Sequence, residues 1–216
     1  MRIVLLGLAG AGKGTQGQAL AQRLGVPFVA SGDLFRSHQA QGTELGLLAK
    51  GHMERGELVP DEVTIRMILE RIGEADCAGG FILDGFPRTL AQAEALDRAL
   101  RNKRIDRAVY IRVGEEELVR RLSGRINCRR CGTPYQRDSL PRGAVMCPNC
   151  GGELYQRPDD QPEVVRRRIR VQWPELSRLV EYYSNRSKLQ EVNGEQSVEL
   201  VRAAILKAIA QPAPAL

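Results

Sequence analysis

Apolar positions recur along this chain with two periods, and the two alternate. Arg2–Leu6 is a continuous apolar, partly β-branched run that stops at Gly7, as expected of a strand buried on both faces. Shorter runs of the same kind occupy 27–30, 81–83, 108–113 and 189–192. Between them, apolar residues return every three or four positions, which predicts helices. These span Lys13–Leu24, Asp61–Ile72, Leu90–Leu100, 115–122, 162–187 and Val198–Ala210. Two short helices are predicted within 32–60, where glycines at 42, 46, 51 and 56 interrupt the pattern. Ser31 and Asp61 are placed to cap the helices that follow them. Pro174 predicts a bend or break in the long helix, and Trp173 is expected to pack against a helix. Strands alternating with helices predict an α/β fold, a five-stranded parallel sheet with helices on both faces.

One segment departs from the alternation. Across 125–160, cysteine, glycine, proline and arginine replace helical periodicity, which predicts an inserted minidomain. The tail QPAPAL (211–216) is expected to fray. A length of 216 residues suits one core with small inserted lobes. No apolar run approaches the roughly 20 residues needed to cross a bilayer. The N-terminal apolar stretch is too short, and too soon broken by glycine, to be an export signal. The expected location is therefore the cytoplasm, with no membrane partner. The net charge of +6 favours anionic partners. Arginines lie beside glycines and acids, and aromatics are only 5% of the chain, which disfavours a base-stacking nucleic-acid surface. Small phosphorylated ligands fit better.

The sharpest chemistry lies in GLAGAGKGT (7–15), between a predicted strand and a predicted helix. Gly7, Gly12 and Lys13 match the phosphate-loop pattern, except that Gly14 follows the lysine and Thr15 comes one position later. Glycines let the backbone curl and aim its N–H groups at phosphate oxygens. The following helix adds its positive end, and Lys13 a mobile charge. In GFILDGFPRTLAQ (80–92), Asp84 ends a buried strand, where a carboxylate needs a partner. A hydrated Mg²⁺ near the phosphate loop is one candidate. Arg36 and Arg88 are candidates for bidentate grip on a phosphate.

Five cysteines are present: two CxxC pairs, Cys128/Cys131 and Cys147/Cys150, and Cys77, read as a small buried hydrophobe. Fifteen residues separate the pairs, a spacing suited to zinc. Four thiolates close a tetrahedral site, so the metal would be structural. Iron on the same ligands, or a disulfide, are the alternatives. Arg129 and Arg130 are placed to offset thiolate charge.

GAGKGTQ (10–16), SGDLFR (31–36), LDGFPRT (83–89), Gln92, SGR (123–125) and RPDD (157–160) together resemble the adenylate kinase family, in family order and over nearly the whole chain. The resemblance implies a phosphate-loop core (1–29, 60–123 and 162–216), a monophosphate-binding lobe (30–59) and a zinc-holding lid (124–161). It implies reversible transfer from ATP to AMP giving two ADP, dependent on Mg²⁺ and serving adenine nucleotide balance; a monomer is the simpler expectation for its assembly. By the same resemblance ATP would meet Gly10, Ala11, Gly12, Lys13, Gly14, Thr15, Arg125, Pro134, Tyr135 and Gln196. AMP would meet Ser31, Arg36, Glu57, Leu58, Val59, Gly85, Phe86, Pro87, Arg88, Gln92, Arg157 and Arg168. Lys13, Asp84, Arg88, Arg125, Arg157 and Arg168 would carry the transfer. Of the run 166–168, consecutive helical residues face different ways, so Arg168 is taken as the inward one.

Three departures stand out: Ala9 where the family usually has proline, Ser31 for threonine, and Ile126 for a second arginine. UMP or CMP as acceptor and GTP as donor remain open, with Gln92 and Thr89 favouring AMP. A zinc-ribbon nucleic-acid binder ranks lower, because the lobe mixes Tyr135 and Tyr155 with Asp138, Glu153, Asp159 and Asp160.

Overall fold

The computed structural model describes residues 1–55, 57–101 and 104–210, so Gly56 and the 211–216 tail lie outside it. In chain order the elements are β1 (Arg2–Leu6), α1 (Lys13–Leu24), β2 (Phe28–Ala30), α2 (Ser31–Ala40), α3 (Glu44–Glu54) and α4 (Asp61–Ile72). There follow β3 (Phe81–Asp84), α5 (Leu90–Leu100), β4 (Arg107–Arg112), α6 (Glu115–Ser123), β5 (Arg125–Cys128), β6 (Pro134–Gln136) and β7 (Leu154–Tyr155). The long helix α7 (Pro162–Ser184), β8 (Leu189–Asn193) and α8 (Val198–Ala210) complete the fold.

The five predicted apolar runs assemble into one parallel sheet in the order β2-β3-β1-β4-β8. Consecutive residues of a strand face opposite sides. Ile3, Val4, Leu5 and Leu6 are all buried, so helices cover both faces. The register brings Ala30 of β2 and Leu5 of β1 alongside Asp84 of β3. Three carboxyl ends therefore meet at one edge, where the connecting loops form the site. The segment after α6 forms a separate antiparallel sheet, β6-β5-β7, extended by a bridge between Met146 and Glu153.

Four local expectations are corrected. Helix α7 runs unbroken through Pro174 and ends at Ser184. It buries Val165 and Ile169 before the proline, and Leu176, Leu179 and Tyr183 after it. Pro174 is exposed, as is Arg170 one turn earlier, so the missing hydrogen bond falls on the solvent side, where the freed carbonyl is open to solvation. Ser31 is not a cap but the first residue of α2, and its hydroxyl donates to the Gly85 carbonyl at 2.7 Å. Asp61 is likewise inside α4, its carboxylate turned to Thr89 and Gln92. Side-chain caps come instead from Thr43, which accepts from Gly46 N, and Thr89, which accepts from Gln92 N. Trp173 lies on the outer face of α7, 49% exposed. Cys77 is buried, as expected.

Gly17 sets how closely α1 approaches the sheet. A Cβ there would lie 2.2 Å from the Phe28 ring and 3.0 Å from Leu5 Cδ1. Gly17→Ala is expected to destabilise the fold by roughly 1–3 kcal/mol, the usual cost of overpacking. Adding Phe28→Leu should restore part of the loss. Denaturant unfolding of the two variants checks this; an unshifted midpoint in the single variant would refute it.

Candidate active site

The loop between β1 and α1 curls tightly. Gly10 and Gly12 have φ of 87° and 90°, in the left-handed region that side chains rarely adopt. Helix α1 has no side-chain cap and no acidic residue in its first turn, so its positive end is open to an anion. Lys13 Nζ donates to the carbonyls of Gly7 at 2.9 Å and Leu8 at 3.0 Å. It also lies 3.7 Å from the Asp84 carboxylate. Burial lowers the Lys13 pKa, and Asp84 opposes that shift. Among the described residues the Asp84 carboxylate has Lys13 as its ion-pair partner and no closer hydrogen-bond donor. Its carboxylate therefore has capacity for a hydrated cation, and these residues fit the Mg²⁺ that accompanies a nucleotide triphosphate.

Around this loop a cleft of about 630 Å³ gathers Lys13, Arg36, Arg88, Arg125, Arg157 and Arg168. They come from α1, α2, the loop after β3, β5, the segment after β7, and α7. Carboxylates hold several in place. Arg125 makes a bidentate pair with the fully buried Asp160, at 2.6 and 2.8 Å. Arg168 Nη1 donates to Asp159 Oδ2 at 2.8 Å and to the Asp159 carbonyl at 2.9 Å. Arg36 pairs with Asp33 at 2.5 Å. Arg88 Nε donates to the Gly85 carbonyl at 2.9 Å. Arg157 Nε is buried with no hydrogen-bond partner among the described residues. Burial pushes the Arg88 pKa down to about 10, with the nearby Arg168 charge adding to the shift. Arg157 and Arg168 are lowered by the same two causes, burial and neighbouring cations. The neighbouring Arg166 and Arg167 are exposed.

Ser31, Glu57, Leu58, Val59, Gly85 and Gln92 line the cleft, as do Gly10, Ala11, Gly12, Gly14, Thr15, Pro134, Tyr135 and Gln196. Gly85 must be glycine: its φ is 71°, and a Cβ would lie 2.7 Å from Ser31 Oγ and 2.8 Å from the Arg88 guanidinium. Phe86 and Pro87 are buried and do not line the cleft. Sequence reasoning missed Arg121, Asn127 and Asp159 as lining residues. Arg121 donates to Glu117 at 2.6 Å and to the Gly194 carbonyl at 2.9 Å. Asn127 is buried, and neither amide atom has a partner among the described residues. Its signal was the period of a strand: it lies two residues from Arg125 on β5, hence on the same face.

The two CxxC pairs meet in the small sheet. Their sulfurs all lie within 4.8 Å of one another. Cys128–Cys150 is 3.4 Å and Cys131–Cys147 is 3.7 Å. A tetrahedron with zinc–sulfur bonds of about 2.3 Å has edges of about 3.8 Å, so the donor set fits a structural zinc. No disulfide links the cysteines. The amides of Arg130 and Cys131 point at Cys128 Sγ, from 3.3 and 3.4 Å. Tyr135 Oη lies 3.1 Å from Cys147 Sγ, so the ring that lines the cleft also touches the sulfur cluster. Arg129 pairs with Glu153 at 2.8 Å and stacks over Tyr155, while Arg130 donates to the Cys150 carbonyl.

A phosphate loop at the carboxyl edge of a parallel sheet, facing converged guanidinium groups, defines a phosphoryl-transferring nucleotide kinase. Residues 5–188 match the adenylate kinase family profile. An adenylate kinase of Dehalococcoides mccartyi is 48% identical over 209 residues, 96% of this chain and 97% of that protein. One of Geobacillus sp. strain WCH70 is 47% identical over 208 residues, 95% and 96% of the two chains. One of Archaeoglobus fulgidus is 48% identical over 202 residues, 92% and 93%. The chain belongs to the adenylate kinase family and is a nucleoside-monophosphate kinase.

Cys147 is the test of the metal reading. Cys147→Ser is expected to lower bound zinc per chain and the melting temperature of the purified protein, since metal binding is coupled to order in so small a lobe. Metal analysis and calorimetry on one preparation decide it; unchanged zinc and unchanged melting would overturn the assignment.

Proposed function

We propose that the chain catalyses ATP + AMP = 2 ADP with Mg²⁺, as a cytoplasmic monomer with structural zinc in its lid. The observation that carries this reading is the convergence of Lys13, Arg36, Arg88, Arg125, Arg157 and Arg168 on one cleft that the phosphate loop and Gln92 also line. No helix among the described residues is long and apolar enough to cross a membrane, which accords with that location.

In this reading the core is 1–29, 60–123 and 162–216. The 30–59 lobe holds AMP and 124–161 covers ATP. The phosphate loop and the open end of α1 bind the donor phosphates. Lys13 leaves the Gly7 and Leu8 carbonyls, its resting partners, for the outer phosphates. Arg36 and Arg88 grip the monophosphate, and Gln92 meets its base. Arg125, Arg157 and Arg168 close on the phosphoryl group in flight. Asp84 would hold a hydrated Mg²⁺, which when bound would supply charge neutralisation on the donor phosphates. Pro134, Tyr135 and Gln196 flank the donor adenosine. Transfer of this kind needs little covalent help from the protein; positioning and charge complementarity carry the rate. Closure of the lid excludes water, which keeps AMP the acceptor.

Lys13→Met and Arg88→Ala are each expected to fold normally and to lose on the order of 10²-fold or more in kcat, the scale of one preorganised charge contact. A coupled assay with AMP, CMP, UMP and GMP against ATP or GTP measures both activity and acceptor choice. Near-normal turnover in either variant, or absence of ADP from wild type with ATP, AMP and Mg²⁺, would sink the proposal.

A further inference from the structure

Gln92 is buried at the end of the cleft, 1% exposed, and both ends of its amide are occupied. Nε2 donates to Asp61 Oδ1 at 2.7 Å. Oε1 accepts from the backbone N–H of Arg88, also at 2.7 Å. The other Asp61 oxygen accepts from Thr89 Oγ1 at 2.8 Å, which fixes the carboxylate itself. An ionised carboxylate only accepts and a backbone N–H only donates. Turning the amide over would set Oε1 against the carboxylate and Nε2 against the N–H, two repulsive contacts in place of two good ones.

One N–H of Nε2 and one lone pair of Oε1 remain for the cleft. That pair matches a base edge on which an acceptor ring nitrogen sits beside an exocyclic amino donor, as in a 6-aminopurine. A 6-oxopurine presents a ring N–H beside a carbonyl oxygen, the reverse arrangement. Neither Asp61 nor its other partner Thr89 lines the cleft, so Asp61 reaches a ligand there through Gln92.

We propose that Asp61 is a specificity-positioning residue: by locking the Gln92 amide in one orientation, it makes the acceptor site select 6-amino over 6-oxo nucleoside monophosphates. This rests on the reading that Gln92 faces the acceptor base.

The experiment compares AMP with IMP, which differ at this edge. In Asp61→Asn the new side chain can give or take a hydrogen bond, so the orientation is released. The AMP-to-IMP ratio of kcat/KM is expected to fall on the order of tenfold or more, the scale of one charge-assisted hydrogen bond. The change should lie in the KM for monophosphate, with the KM for ATP unmoved. Asp61→Ala, which leaves only the Arg88 N–H to orient Gln92, should lower the ratio in the same direction. It is read at a temperature where it is folded, should Asp61→Asn prove unstable. In a Gln92→Ala background, Asp61→Asn should have no further effect on the ratio, whereas a merely structural role would persist there. An unchanged ratio in a folded Asp61 variant, or an equal fall without Gln92, overturns the proposal. Wild type that ignores AMP or prefers IMP would instead remove the acceptor-site reading beneath it.

Discussion

Repulsion between like charges is the constraint on which the site depends. Lys13, Arg36, Arg88, Arg125, Arg157 and Arg168 converge on one cleft, where Asp33, Glu57, Asp84, Glu117 and Asp159 are the lining carboxylates and the buried Asp160 pairs with Arg125. Unscreened, such a cluster would push itself apart or shed protons. Burial is the main cause of the lowered pKa values of Lys13, Arg88, Arg157 and Arg168, and neighbouring cations add to it. Asp159 and Asp160 hold two of the arginines in place, yet leave positive charge in excess. A polyphosphate supplies the missing negative charge, so the protein and its substrates complete one electrostatic unit.

The fold makes this convergence feasible by spreading its cost. Each cation sits on a different element, and the parallel sheet aligns the loops that carry several of them at one edge. Hydrophobic burial along β1, β3 and α7 anchors those elements independently of the site. The inserted sheet has a different basis for its order. Its large side chains Val145 and Met146 are exposed, and four sulfurs take the place of an apolar core.

Much of the architecture was legible in the sequence because its signals are local. Five apolar runs became five strands, and the phosphate loop lies where its glycines and lysine placed it. The two CxxC pairs met because ligand spacing encodes a shared centre. What escaped depends on contacts across the chain. Asp61 has the composition of a helix cap, and only the approach of α5 turns it toward Thr89 and Gln92, 28 and 31 residues away. Asn127 looked like ordinary strand sequence beside a cysteine. Pro174 carries a local rule that packing overrode, because apolar residues on both sides of it are buried along one helix face.

The four sulfurs in the inserted sheet are not equivalent. Cys128 and Cys147 are buried and Cys150 is partly so, while Cys131 faces solvent. With a metal ion held there, a competing thiol or chelator would reach Cys131 first. The number of bonds would set how tightly such an ion is held, but access to the most open sulfur would set how fast it leaves.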